Sequence, residues 1–203
     1  MALNYANNNS LSAITALPAS ISGGALTLLQ TQTASSSSTI SFTSNIDSTY
    51  DAYIFKFYNI HGATDQASFS FNGSIDSGSN YNTTKTTTFF RAFHTENDST
   101  ANLSYSTGRD LAQSTDFQIL AYNSNNDNDA SHSGSLHLFN PSSTTFVKHF
   151  ICSMSTIYRS GEPGAYNTYV AGYMNTTSAV DAVQFKMSSG NIDSGVIKLY
   201  GIS

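Results

Sequence analysis

Charge is scarce in this chain. Lys and Arg together number 8 in 203 residues, against 13 Asp and Glu, which leaves a net charge of −5. The first basic residue is Lys56 and no two basic residues are adjacent. No basic stripe can be drawn, so the counterion release that drives nucleic-acid binding has no surface to act from, and nucleic acid is excluded as a partner. Cysteine is reduced to Cys152, which excludes an internal disulfide and a cysteine-based zinc site. Set among Phe146-Val147-Lys148-His149-Phe150-Ile151-Cys152-Ser153-Met154, it reads as a small buried hydrophobe and not as a nucleophile. Tryptophan, the preferred ring for stacking on sugars, is absent. No apolar run is long enough to cross a bilayer, and MALNYANNNS lacks the basic start and apolar core of a signal peptide. The expectation is a protein made in the cytoplasm that does not insert into a membrane.

Only 10% of the residues are charged, against about 25% in ordinary globular chains, so solubility rests on Ser, Thr and Asn. Such a surface suits close assembly, because an interface built on it desolvates few charges. A chain of this length buries roughly 70% of its unfolded surface on folding, enough for a core that needs no disulfide.

What is present is a two-residue alternation of apolar and polar side chains. Ile40 and Phe42 alternate with polar neighbours; Tyr53, Phe55 and Phe57 point one way while Ile54, Lys56 and Tyr58 point the other; Phe69 and Phe71 form a short run. Further strands are predicted at 86–94, 117–122, 135–139, 146–157, 166–174, 180–187 and 196–201. Asn72-Gly73, Ser77-Gly78, Thr107-Gly108, Ser133-Gly134, Ser160-Gly161 and Ser189-Gly190 punctuate them as turns. About ten strands without a long amphipathic helix indicate an all-β fold, an antiparallel two-layer β-sandwich of jelly-roll or lectin-like type with an extended N-terminal arm. The arm covers 1–38 and the sandwich domain 39–203. In the arm, Leu11, Ile14, Leu17, Ile21, Leu26, Leu28 and Leu29 are too apolar for a disordered tail. They are expected to pack on a partner or on the sandwich, with Leu26 onward as the possible first strand.

The residues that could carry chemistry do not converge. Glu96 with Asp98, and Asp127 with Asp129, are the carboxylate pairs nearest to a glycosidase arrangement, but each pair lies within one polar loop, and Glu162 lies in a turn. His61, His94, His132, His137 and His149 coexist with many serines, yet no Gly-x-Ser-x-Gly elbow is present. The expectation is no catalytic residue, no cofactor and no metal. One alternative is a cluster of symmetry-related histidines at a subunit contact, since His137 and His149 alternate with apolar residues and belong on an outer sheet face. The acidic loop lacks the glycine and distal glutamate of an EF-hand, and no phosphate-cradling Gly-rich loop precedes a lysine. Two Asn-rich loops, Asn123 to Asp129 with Asn125, Asp127 and Asp129, and Asp76 to Asn82 with Asn80 and Tyr81, are candidate exposed recognition loops. Tyr50, Tyr58, Tyr81, Tyr105, Tyr158, Tyr166, Tyr169 and Tyr173 supply rings for a glycan platform if they share a face.

Several stretches carry a resemblance: Leu26 to Ala34, Ile46 to Tyr50, Leu138-Phe139-Asn140-Pro141-Ser142-Ser143-Thr144-Thr145, Gln184 to Ile192, and the closing Gly195-Val196-Ile197-Lys198-Leu199-Tyr200-Gly201. Together they resemble small virion structural proteins of tailed bacteriophages, marine ones in particular. The resemblance implies a location on the virion surface and a role by binding. It points first to a capsid decoration (cement) protein, a homotrimer seated on the major capsid protein, and otherwise to a head or tail fibre component that binds host surface glycan. It supplies no catalytic residue.

Overall fold

The computed structural model describes residues 26–158 and 163–202. These residues form twelve strands and no helix: β1 (Thr27–Ser37), β2 (Ile40–Phe42), β3 (Ala52–Gly62), β4 (Phe69–Ser74), β5 (Lys85–Thr95), β6 (Ala101–Tyr105), β7 (Gln118–Ala121), β8 (His132–Phe139), β9 (Lys148–Tyr158), β10 (Gly164–Met174), β11 (Ala182–Met187) and β12 (Ile192–Ile202). An eight-stranded sheet has the order β1-β12-β3-β8-β9-β10-β5-β6, and a four-stranded sheet has the order β2-β11-β4-β7. Every pairing is antiparallel. The protein is an all-β sandwich, as its alternation requires.

The chain passes back and forth between the sheets. β2, β4, β7 and β11 enter the small sheet, and the segments between them enter the large one. This crossing pattern is that of a jelly roll in which the hairpin β9–β10 is inserted between β8 and β5, and β1 and β12 extend the sheet beyond β3.

The core is a set of phenylalanines centred on Phe185 of β11. Its ring lies 5.2 Å from both Phe55 and Phe57, 5.7 Å from Phe69, 6.1 Å from Phe42 and 6.4 Å from Phe71. Phe55 and Phe57 come from the large sheet and the other rings from the small one, so the cluster joins the two layers. Edge-to-face contacts dominate, the arrangement the ring quadrupole favours. Leu136, Leu138, Phe150, Cys152, Met154, Ile197 and Leu199 extend the buried layer along the large sheet. Cys152 is the buried hydrophobe its neighbours predicted, and burial pushes its thiol pKa up.

Irregular pairing bends the large sheet. The β3–β8 register shifts between Phe57 and Ile60, the β3–β12 register shifts twice, and Asn59 takes a left-handed conformation with φ of 50°. Opposite it, Gly195 has φ of 124°, and a Cβ there would lie 2.8 Å from the Asn59 carbonyl oxygen. Only glycine fits that crossing of bulged strands.

The boundary expected at residue 38 moves. Thr27–Ser37 is the edge strand of the large sheet, paired along its length with β12, so the sandwich domain begins at β1. Leu29 packs against the core, while Leu26 and Leu28 are 40% and 51% exposed at the sheet edge. Leu11, Ile14, Leu17 and Ile21 lie outside the described residues. β6 was not anticipated either, because its apolar residue Leu103 faces outward.

Replacing Phe185 with Ala removes the ring shared by five neighbours and is expected to cost about 3–5 kcal/mol, read from the urea midpoint. A loss below about 1 kcal/mol would contradict its central place in the core.

Candidate functional site

A strand that buries one face must present the other, and the eight-stranded sheet presents the broader of the two outer faces. Backbone register aligns them in rows. One row reads Leu28, Tyr200, Ile54, His137, Ile151, Ala171 and Thr88 from β1 across to β5. The next, from β8 to β6, reads Ser135, Ser153, Tyr169, Phe90 and Tyr105. Phe90 and Tyr169 stack with ring centroids 4.9 Å apart. Ile151 is 54% exposed and Leu103 on β6 is 71% exposed. The outward positions of β8, β9, β10, β5 and β6 contain no Lys, Arg, Asp or Glu; their polar members are Ser, Thr, Asn, Tyr and the histidines His94, His137 and His149. Charge returns only on β3 and β12, where Lys56 and Lys198 lie over the rings of Tyr200 and Tyr58.

Two grooves cross this face where small side chains alternate with large ones. A groove of about 490 Å³ lies among Phe139, His149, Ile151, Ala171, Tyr173 and Thr86. A second, of about 460 Å³, lies toward the other end of the strands among His94, Glu96, Ser133, Ser155, Ile157 and Ala165. His137 and His149 take the outer-face positions expected of them, and burial, with a smaller contribution from the field of Lys56, lowers the His137 pKa.

The opposite surface of the sandwich is different in kind. On the small sheet Gln184 donates to the Ser41 hydroxyl, Ser70 donates to the Lys186 carbonyl, and Lys186 lies 4.1 Å from the Phe117 ring. These polar groups are engaged within the molecule.

The two candidate recognition loops do not form one site. Ser124 is held by backbone bonds to Gln66 and Ala67, just before β4, whereas the 76–82 loop follows the far end of β4. Asn125, expected to be exposed, is buried: its amide donates to the Asp127 carboxylate, and its side-chain oxygen accepts from the Asp127 backbone at 2.9 Å. Asp127 and Asp129 are exposed. In the other loop Asn80 is exposed but engaged, its side chain and backbone donating to Asp76 at 2.7 and 2.8 Å. A bond from the Ser74 hydroxyl, followed by these two from Asn80, holds the Asp76 pKa down to about 2. Tyr81 is half-buried. Nor do the tyrosines share a platform. Tyr58, Tyr105, Tyr169 and Tyr173 lie on the outer face, while Tyr158 and Tyr166 face inward and stack at 4.0 Å beside Arg91.

Three ionisable groups are buried where sequence reasoning had not placed them. Lys85 and Lys148 open β5 and β9 in phase with Phe89 and Phe150, and His132 opens β8 in phase with Leu136, so each must point inward. That phase was the available signal. Lys85 Nζ donates to Asn72 Oδ1 and to the Thr83 carbonyl, both at 2.6 Å, and desolvation pushes its pKa down to about 7 against the opposing pull of Asp116. Lys148 Nζ donates to the carbonyls of Ser143, Phe146 and Thr176, tying the loop before β9 to the turn after β10. His132 hydrogen-bonds Ser124 through Nε2 and Thr156 at 3.0 Å through Nδ1. Ser124 is wholly buried and the third member is a hydroxyl, so the trio is a structural bridge and not a nucleophilic triad. Among the described residues no group of three or more His, Cys, Asp or Glu is placed to hold a metal ion.

Comparison of the chain with protein-family models, with curated proteins and with solved structures finds no match. Its function is therefore argued from the residues and their geometry.

The buried groups make stability depend on pH in two windows. Desolvation, with a smaller contribution from His61, lowers the His132 pKa from 6.5 to about 4, so the unfolded chain binds the extra proton first and stability falls as pH drops through that interval. The Lys85 pKa lies below its ordinary 10.5, so stability rises as pH climbs above about 7. Thermal midpoints measured across both windows should show an acid limb that H132Q flattens and an alkaline limb that K85M flattens. Unchanged limbs in these variants would contradict the assignment.

Proposed function

We propose that this chain is a virion structural protein that acts by non-covalent binding, most simply as a decoration protein seated as a trimer on the shell built by the major capsid protein. The observation that carries the binding role is the uncharged outer face of the large sheet, where Phe90, Tyr169, Tyr105, Leu103 and Ile151 crowd together in contact with solvent. Exposed apolar area of this extent on a sandwich with a complete core marks an interaction surface. The virion setting is supported by the stretches that resemble phage particle proteins. Apart from Ile46 to Tyr50, which precedes β3, they coincide with β1, the end of β8 with the turn after it, β11, and β12, which lies between β1 and β3. A decoration protein works by adding buried area to an assembled shell, so that the bound state is stabilised by mass action.

A second reading, a fibre component that binds host glycan, has one observation in its favour. Phe93, Tyr158 and Tyr166 line a groove of about 310 Å³ with Ser99 and Thr100 at its edge, rings and hydroxyls that suit a sugar.

Quantitative mass spectrometry of purified virions, referenced to the major capsid protein, separates the readings. The decoration role expects a copy number close to that of the capsid protein. A ratio lower by orders of magnitude would transfer the chain to a fibre and favour the glycan reading, and absence from the particle would overturn the virion role.

A further inference from the structure

We infer that the outer face of β8, β9, β10, β5 and β6 is where a second copy of this chain docks, and that the protein is a homo-oligomer through it. A face that docks on itself closes a twofold pair, so this contact is separate from the threefold one of the proposed role, and it rests on the face itself and not on the virion setting.

Four observations converge on a copy of the chain as the occupant. The first is charge. The molecule carries a net charge of −5, yet the outward positions of these strands hold no formal charge at all. Two copies can bring these strands together with little like-charge repulsion, the carboxylates at the margin being Asp110, which accepts from the Tyr105 hydroxyl, Asp98, which lies 2.8 Å from His94 Nε2, and Glu96 beside the second groove. The second is size. The 46 residues of these five strands, rising about 3.3 Å each on strands spaced by about 4.8 Å, present about 700 Å², close to the roughly 800 Å² per partner of a stable protein interface.

The third is relief. Ile151, Tyr169, Phe90, Tyr105 and Leu103 form a raised apolar band, and the grooves at Phe139–Tyr173 and at Ile157–Ala165 flank it, so the face offers both knobs and recesses to its own copy. The fourth is contrast. The polar groups on the small sheet's outer surface are spent on one another, as in the Gln184–Ser41 and Ser70–Lys186 bonds, so that side has no comparable need of a partner.

Sedimentation velocity of the purified chain at micromolar concentration tests this without any virion component. The expected species is a multiple of 21.8 kDa. I151R combined with L103R should shift the dissociation constant upward by about a hundredfold or more and yield monomer, since each guanidinium would be buried without a counter-charge. Both side chains are more than half exposed in the single chain, so folding should survive, which an unchanged circular dichroism spectrum checks. Q184R, on the opposite sheet, should leave the oligomer intact. Wild-type protein that sediments as a monomer, or arginine variants that fold and associate like wild type, would overturn the inference. So would dissociation caused equally by Q184R.

Discussion

The aromatic contact between the two sheets governs the rest of this structure. Phe185 reaches from the small sheet into Phe55 and Phe57 of the large one, and Phe42, Phe69 and Phe71 close the cluster around it. Because strand side chains alternate with a period of two, fixing Phe55 and Phe57 inward fixes Ile54, Lys56 and Tyr58 outward, and pairing passes that phase from strand to strand. The outer face is thus a consequence of the core. Its composition is not: nothing in the packing of Phe150 or Val170 requires Ile151 or Tyr169 to be apolar, and their presence in water needs a separate cause.

The difference in size between the sheets sharpens that point. Four strands cover one side of eight. Where the small sheet ends, the inner side of the large one is finished by aromatic rings, by Arg91 and Arg109 over those rings, and by loops. The inner surface is therefore closed by the chain's own residues, although Nε of Arg91 and of Arg109 is buried there without a hydrogen-bond partner. On the outer side no element of the described residues lies over the hairpin β9–β10 or over β5 and β6, and this is the surface that the docking inference assigns to a second copy. Buried Lys85, Lys148 and His132 belong to the same economy: each is held by hydrogen bonds that fix a loop or strand start, and none lines the two grooves of the outer face.

Much of the architecture was legible in the sequence because burial on one side leaves a period-two trace. Tyr53-Ile54-Phe55-Lys56-Phe57 and Phe146 to Ile157 carry that trace plainly, and the strands follow. β1 was harder, since an edge strand buries little and Thr27–Ser37 is mostly polar. β6 was missed because Leu103 is its main apolar residue and faces water, so no buried partner position sets a rhythm. The order of strands was beyond local reading, being decided by non-local pairing such as β5 with β10. Site reasoning followed composition and went astray where composition and environment diverge. Asn125 sits in an Asn-rich run yet is enclosed by its neighbours, and Asn80 is engaged within its own loop. The outer face itself was only half visible: His137 and His149 were assigned to it, but the rows they join exist only once the register is known.

The claim at the centre of this account is that the uncharged face of the large sheet is covered in the working protein. Oxidative footprinting of the native protein at assembly concentration tests it side chain by side chain. In the single chain Leu103 and Ile151 are 71% and 54% exposed, and Ile75, in a loop away from the face, is 45% exposed. If the face is an interface, Leu103, Ile151 and Tyr169 should be labelled far less than Ile75. Labelling in proportion to their exposure in the single chain would contradict the claim.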